Sequence, residues 1–303
     1  MKNKINIIII VLIAFTLTIS SCETIMKVAD VGAQVAGAAG LIDQNTADAI
    51  SASARAIGSA AEEITPEQEY YIGRAVAANI INNYRVWNGN QALTAYLNLI
   101  CGAITINSPR PNVFNGYHVA ILDTNEINAF ATSGGHIFVT RGLIAAARTE
   151  DALAAVIAHE IAHIQLQHGI KAIKNSRFLN AVVVTGVSTA GAATGMNVNE
   201  LTATFNETVG EFVQTLINNG YSQTQEFEAD NTAMSLLAGA GYNPSGLIDM
   251  LNVLSGIQVS GSGFGKTHPT PAQRITNAQA SIRGYSVTDT SSSRQARYNT
   301  AVR

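Results

Sequence analysis

Three residues whose types and spacing could do chemistry lie together at His159, Glu160 and His163, in the pattern H-E-x-x-H. Because the histidines are four residues apart, a helix would carry both imidazoles on one face, about one turn apart. This spacing suits two corners of a tetrahedral zinc site, and Glu160 could accept a proton from the water that attacks a peptide bond. Such groups are costly to bury without a partner. The motif therefore predicts one Zn²⁺ per chain, with Glu160 as the catalytic base.

A catalytic zinc site also needs a third protein ligand and one open position. One pattern places a third histidine six residues after the second, but that position is Gly169 here. Another pattern uses a glutamate on a later helix, and Glu226 and Asp230 form E-x-x-x-D, one helical turn apart. We expect Glu226 to bind the metal and Asp230 to accept the second N–H of a ligand histidine. The alternative metal ligands are Glu207 and Glu211.

The motif needs a buried helix to position it, and the flanking residues predict one. Thr149 is suited to cap this helix, Glu150 and Asp151 would occupy its first turn, and Gly169 would end it. Apolar residues repeat at the helical period as a broad stripe: Leu153, Val156, Ile157, Ile161 and Ile164. The zinc ligands would thus lie on a helix packed within the protein core.

Two other ionisable residues near these motifs are expected to take no part in the site. His168 follows His163 by five residues, so we expect it to face away from the histidine pair and to interact with the helix dipole. Glu228 lies on a different helix face from Glu226 and is expected to be solvated.

The remaining patterns predict an α+β fold that is predominantly helical, with a small β-sheet beside the active-site helix. Thr65 and Pro66 form a helix start, with Thr65 as the cap. Helical patterns cover about 65–84, 91–106, 201–218, 222–239, 244–256 and 271–283, and strand-like patterns cover 117–122, 128–131 and 136–140.

A glycine pair, Gly134 and Gly135, precedes the third predicted strand and would let another backbone approach closely. If this strand lies at a sheet edge, an extended substrate peptide could pair with it along Gly135–Thr140. Gly134, Gly135 and His136 are therefore candidate substrate-contacting residues. A simple hairpin turn is the alternative, and His136, like His118, alternates with apolar residues as a structural histidine would.

Composition argues against two classes of protein. The net charge of -3 and the pI of about 6.1 do not fit a nucleic-acid binder, which usually carries a basic stripe. Two cysteines are too few for a disulfide scaffold. Of these two, Cys101 is expected to be a small buried apolar residue.

The N-terminal residues 1–21 predict a secretory signal peptide. Lys2 and Lys4 precede an apolar run, and small residues lead to Cys22. The Ile-Ser-Ser-Cys end resembles the lipobox of bacterial lipoproteins, which implies cleavage before Cys22 and acylation of that cysteine. An uncleaved membrane anchor is the alternative.

These motifs together resemble the zinc metalloprotease family that includes the CAAX prenyl endopeptidases, the HtpX-like proteases and their lipoprotein members. The resemblance rests on five stretches: Thr65–Gly73, Asn128–Gly135, His159–His163, Tyr221–Asp230 and His268–Ile275. It implies a zincin-like fold of the gluzincin type, in which HExxH and ExxxD supply the metal site. It also implies that the substrates are misfolded or membrane-associated envelope proteins.

The last of these stretches contributes two polar residues with several possible roles. Because Pro269 holds the preceding backbone extended, His268 could block the open metal position, donate to an oxyanion, or lie in solvent. Arg274 could pair with Asp230 or Glu228, contact a substrate carbonyl, or lie on the surface.

The sequence therefore predicts a zinc endopeptidase attached to a bacterial envelope membrane by a lipid on Cys22, at the outer membrane or the periplasmic face. A different hypothesis is an envelope chaperone or assembly factor whose protease site is autoinhibited by His268 or rarely used. The predicted segments are a signal peptide (1–21), an Ala/Gly-rich lipid-anchored tether (22–63), the zinc protease domain (64–285) and a disordered tail (286–303).

Overall fold

The computed structural model of the chain describes residues 22–40, 43–44, 64–174, 198–256, 267–268, 271–285 and 292–302; the side chains of 22–29, 173–174 and 198–208 are not described. The helices are α1 (Cys22–Ala38), α2 (Pro66–Asn83), α3 (Gln91–Thr105), α4 (Arg141–Ala146), α5 (Glu150–Gln165), α6 (His168–Lys174), α7 (Val198–Asn219), α8 (Gln223–Gly239), α9 (Gly246–Gly256), α10 (Pro271–Ser281) and α11 (Ser292–Val302). The strands are β1 (His118–Leu122), β2 (Ala129–Thr132) and β3 (His136–Thr140). The predicted α+β, mainly helical class is confirmed. No helix within the described ranges is both long enough and apolar enough to cross a bilayer.

The chain forms two compact units, one of residues 1–64 with 177–202 and the other of residues 65–176 with 203–303. In the first unit, α1 begins at Cys22 and buries Ala33 while exposing Val31 and Val35. The predicted signal peptide lies outside the described residues. The second unit contains all the predicted catalytic and metal-binding motifs.

Helix α5 carries the H-E-x-x-H motif, and every residue from 150 to 164 is buried. Its cap is the predicted one, because the Thr149 side chain accepts a hydrogen bond from the backbone N–H of Ala152. The helix ends at Gln165, four residues before the predicted stop at Gly169, so that prediction was wrong. Gln167 adopts a left-handed φ of 55°, and α6 then starts at His168. The turn therefore uses a glutamine where the sequence favoured a glycine.

The three strands form one sheet in the order β1-β3-β2, with β1 parallel and β2 antiparallel to β3. Because β3 is paired on both sides, the predicted pairing of a substrate along Gly135–Thr140 was wrong. The β2–β3 hairpin is a local feature of the sequence. The pairing of β1 with the other side of β3 joins strands that are not adjacent in the sequence, so local sequence patterns did not reveal it. Strand β2 lies at the sheet edge and packs against α5.

Helices surround α5 on the sides that the sheet leaves open. Helices α3, α8, α9 and α11 pack against it, and α10 packs against α8 and α9. The core is built of Leu, Ile and Val from these elements with alanines along α5. Small alanine side chains let neighbouring helices approach the α5 backbone closely, so the motif is held from several directions.

Helix α11 corrects the prediction that the C-terminal residues are disordered. Tyr298 is buried, and its hydroxyl donates a hydrogen bond to the backbone carbonyl of Ala147. Arg297 Nη2 lies 2.7 Å from Oε1 of Glu150, a carboxylate that is 1% exposed at the start of α5. The local sequence is polar and gives little sign of this packing. Two contacts with residues far away in the sequence thus hold the helix: Tyr298 with Ala147, and Arg297 with the buried Glu150.

We expect Tyr298→Ala to lower the free energy of unfolding by about 3 kcal/mol, because it removes a buried aromatic ring next to α5. Urea denaturation followed by circular dichroism measures this loss. Thr300→Ala is the control, since Thr300 is exposed on the same helix and should change stability by less than about 0.5 kcal/mol. Equal stabilities for the two variants would show that α11 does not pack as described.

Candidate metal centre

The two histidines of the α5 motif face each other in the interior. The Nε2 atoms of His159 and His163 are 3.0 Å apart, and both rings are almost fully buried. Glu226 reaches them from the first turn of α8, which begins with a capping box between Ser222 and Gln225. Its carboxylate oxygens lie 3.4 Å from Nε2 of His159 and 3.5 Å from Nε2 of His163. The structure thus brings the three predicted ligands together.

His268 completes a cluster of four groups whose ligand atoms lie within 4.8 Å of one another. Its Nδ1 is 2.9 Å from both carboxylate oxygens of Glu226, and its Nε2 is 4.0 Å from Oε1 of Glu160. The alternative that His268 lies in solvent was wrong, because the residue is only 4% exposed. Of the roles left open, this position fits blockage of the metal site.

The donor set fits a metal cation. Two ring nitrogens and a carboxylate, all acceptors when unprotonated, converge on one point, which is favourable when a cation lies between them. Beside them, Oε1 of Glu160 is buried and has no hydrogen-bond partner among the described residues. A water molecule held at the metal position would supply that partner.

Asp230 and Arg274 lie directly behind His159. Asp230 Oδ1 is 3.0 Å from Nδ1 of His159, as the orienting role predicts. Arg274 donates from Nε and Nη2 to the two oxygens of Asp230 at 2.8 and 2.6 Å, and its Nη1 lies 3.3 Å from Glu226. Arg274 is buried, so the surface alternative was wrong. It pairs with Asp230, as one of the predicted alternatives stated.

Burial and the neighbouring charges set the protonation states of these groups. Burial raises the pKa of Glu160 above its usual range, so this carboxylate holds a proton more readily than one in water. Burial also lowers the pKa of His163 to about 3, which keeps the ring neutral. Burial would raise the pKa of Asp230, but the Arg274 charge and hydrogen bonds hold it at about 2. The neutral ring of His163 and the ionised carboxylate of Asp230 are therefore in the states that metal binding requires.

His168 is not where the sequence predicted, whereas Glu228 is exposed as expected. His168 is fully buried, with Nδ1 2.8 Å from Nδ1 of His163, whereas we expected it to face away from the pair. Its Nε2 lies 3.2 Å from Oε2 of Glu228, so this glutamate is also more than a solvated surface residue. The error has a physical cause, since the left-handed Gln167 turns the chain back towards α5.

Tyr221 also belongs to the site, although we predicted no role for it there. Its ring stacks on His163 with centroids 4.2 Å apart and an interplanar angle of 19°. Its position directly before Ser222, the cap of the helix that carries Glu226, could have indicated that it lies near the metal ligands. Of the two alternative ligands, Glu211 is exposed on α7, and the side chain of Glu207 lies outside the described residues.

The glycine pair serves chain packing. Gly134 and Gly135 have positive φ values of 79° and 106°, which L side chains rarely adopt. A Cβ added at Gly134 would lie 2.5 Å from Cα of Tyr70, on α2. His136 stacks on the same Tyr70, with ring centroids 5.5 Å apart. These contacts fit the structural alternative for all three residues.

The comparison with known proteins decides the family. The model of peptidase family M48 matches residues 95–282, more than half of the chain. The chain belongs to peptidase family M48. The matched region runs from within α3 to the turn that follows α10, and it therefore contains all the residues of the candidate metal centre described above.

Several curated relatives are similar to this M48 chain. It is 31% identical to metalloprotease LoiP of Escherichia coli over 173 residues, which are 56% of the chain and 65% of LoiP. It is 26% identical over 234 residues to a putative β-barrel assembly-enhancing protease of Vibrio cholerae, covering 75% of the chain and 46% of that relative. It is 26% identical over 196 residues to the β-barrel assembly-enhancing protease of E. coli, covering 62% of the chain and 38% of that relative. The chain thus spans less than two thirds of the length of these relatives.

Replacing Arg274 tests the buried charge network without any metal. We expect Arg274→Leu to destabilise the chelator-treated protein by roughly 3 kcal/mol or more, because it leaves buried carboxylates without their cation. Arg274→Lys should lose less, since it keeps the charge but not the two-pronged contact with Asp230. Arg283→Leu is the control, because Arg283 is exposed. Thermal melts in EDTA measure the effect, and a melting temperature equal to that of the control would contradict it.

Proposed function

We propose that the chain is a zinc-dependent endopeptidase in which His159, His163 and Glu226 hold the metal and Glu160 acts as the base. The observation that carries this proposal is the convergence of the three ligand groups beside the unpartnered carboxylate oxygen of Glu160. Family M48 membership supports the reaction class. The branch of the CAAX and HtpX-like enzymes remains a prediction.

The proposed mechanism assigns each proton to a residue. Bound zinc would supply Lewis acidity, which polarises the scissile carbonyl and makes water easier to deprotonate. Glu160 accepts the proton of the attacking water at Oε1 and then delivers it to the leaving amine. Asp230 accepts the Nδ1–H of His159 and so holds Nε2 of that ring towards the metal. Arg274 keeps Asp230 ionised and oriented.

We propose that the substrate peptide pairs with β2, the edge strand beside α5. The backbone N–H of Thr140 donates to the carbonyl of Asn128, so by antiparallel alternation the N–H and C=O of Ala131 face away from β3. An extended peptide can add to such an edge by main-chain hydrogen bonds. This placement replaces the predicted pairing with β3.

A second candidate function follows from the residues that cover this edge. Thr267 donates from Oγ1 to Oδ1 of Asn128 at 3.0 Å, and the adjacent His268 contacts Glu226. These two residues therefore bridge the start of β2 and the metal ligands, where a substrate would pass. This arrangement favours a protease that is held inactive until Thr267 and His268 move away from β2 and Glu226. An envelope chaperone or assembly factor with a rarely used protease site would show the same arrangement.

We propose that the protein is a lipoprotein of the bacterial envelope, attached through Cys22 at the outer membrane or periplasmic face. The signal-like residues 1–21 and the lipobox-like Ile-Ser-Ser-Cys support the anchor. The names of relatives, among them the β-barrel assembly-enhancing proteases, support a role in envelope protein quality control. The proposed substrates are misfolded envelope polypeptides, and no nucleic-acid partner is proposed.

Glu160→Gln tests the enzyme proposal. We expect this variant to bind one zinc per chain and to cleave an unfolded protein at least about 100-fold more slowly, because the amide cannot accept the proton. Zinc content by mass spectrometry and peptide release by chromatography are the measurements. Glu211→Gln, an exposed glutamate on α7, is the matched control. Wild-type rates in Glu160→Gln would exclude the proposed reaction.

His268→Ala tests whether the site is held closed. We expect this variant to cleave a short peptide several-fold faster than the wild type, because the contact that holds His268 against the metal ligand Glu226 is lost. His118→Ala, an exposed histidine on β1, is the control. Slower cleavage would instead assign His268 to oxyanion stabilisation. If neither protein cleaves any substrate and both suppress client aggregation, the chaperone hypothesis is correct.

A further inference from the structure

His168 offers an unexpected contact behind one metal ligand. Its side chain is fully buried, and its Nδ1 lies 2.8 Å from Nδ1 of His163, on the side of that ring opposite the metal position. Its other nitrogen lies 3.2 Å from Oε2 of Glu228, whose side chain is 53% exposed. The three residues thus form a chain from the metal position to the protein surface.

With a cation between His163 and Glu226, the proton positions along this chain have one arrangement that satisfies every atom. Nε2 of His163 faces Glu226 and the metal position, so the proton of this neutral ring is on Nδ1. His168 must then accept that proton at its own Nδ1 and carry its hydrogen on Nε2. That hydrogen points to the carboxylate of Glu228, which is an acceptor.

We infer that His168 and Glu228 are positioning residues for the metal ligand His163: they select its Nδ1–H tautomer and orient its Nε2 towards the metal. Neither residue touches the substrate or the reacting atoms. This inference rests on the proposed metal site and deepens it. It assigns support to the second histidine of the motif, as Asp230 supports the first.

The two ligand histidines are therefore supported in different ways. His159 contacts a buried carboxylate directly, and Arg274 holds that carboxylate in place. His163 contacts a second imidazole, and the carboxylate at the end of its chain is half exposed. The support of His163 can therefore be altered by a substitution at the protein surface, which is much less disruptive than one in the core.

The surrounding structure holds His168 in this position. The left-handed backbone of Gln167 reverses the chain after α5, and the Gln167 side chain donates to the buried Glu69 at 3.1 Å. Tyr221 packs against both imidazoles, with ring centroids 4.2 Å from His163 and 5.7 Å from His168. The ring of His168 thus has little freedom to turn away from His163.

Two substitutions at His168 separate the hydrogen bond from the packing. Asparagine keeps an acceptor oxygen close to the position of Nδ1, whereas phenylalanine keeps a ring without any acceptor. We expect His168→Phe to weaken zinc affinity about 10- to 100-fold and His168→Asn to retain most of it. Competition with a chromogenic chelator measures the affinity, using zinc alone as the probe.

The tautomer itself provides a readout that a purely structural role would not change. ¹⁵N chemical shifts of labelled histidine in the metal-free protein should show His163 protonated at Nδ1 in the wild type and in His168→Asn. In His168→Phe the two tautomers should both be populated. A wild-type His163 signal and unchanged zinc affinity in His168→Phe would overturn the inference.

A surface variant keeps the test decisive if His168→Phe fails to fold. Glu228→Ala should weaken zinc affinity in the same direction but by less, whereas Glu211→Ala, another exposed glutamate, should not change it. Equal affinities in the two variants would remove Glu228 from the inference. If the wild type binds no zinc, the proposed function fails. If the wild type binds zinc and cleaves while all the His168 and Glu228 variants match it, the positioning role alone fails.

Discussion

The burial of α5 along its whole length is the constraint on which the rest of the structure depends. All residues from 150 to 164 are buried, yet the helix carries two carboxylates at its start and two histidines with a glutamate in its second half. Ionisable groups in such a position cost several kcal/mol each unless they are paired or bound to a metal. The elements around α5 are arranged to provide those partners.

The two ends of α5 meet this requirement in different ways. At the start, Glu150 is paired within the protein by the hydroxyls of Tyr96 and Tyr242 and by Arg297. In the second half, the side chains of His159 and His163 converge with Glu226 of α8 on a common centre that could hold a metal cation. The start of the helix is therefore held by contacts within the protein, whereas the second half carries groups that could bind a metal cation.

Local sequence signals were enough to predict most of the elements. The Thr65 and Thr149 caps are where the sequence placed them, because a cap depends on residues within one helical turn. The spacing of apolar residues that marks a helix or a strand is likewise a property of neighbouring residues in the sequence. The predictions failed where distant residues decide the outcome: β3 is central because β1 returns to pair with it, and α11 packs through contacts of Tyr298 with Ala147 and of Arg297 with Glu150.

By itself, the sequence determined that a buried helix carries H-E-x-x-H and that a later helix presents two carboxylates one turn apart. Only the tertiary structure decided which partner each group has: Arg274 on Asp230, and His268 on Glu226. It also placed His168 behind His163, through the left-handed backbone of Gln167. The physical reason is that a side-chain contact between distant residues depends on how whole elements pack, whereas motif spacing depends only on the geometry of one helix.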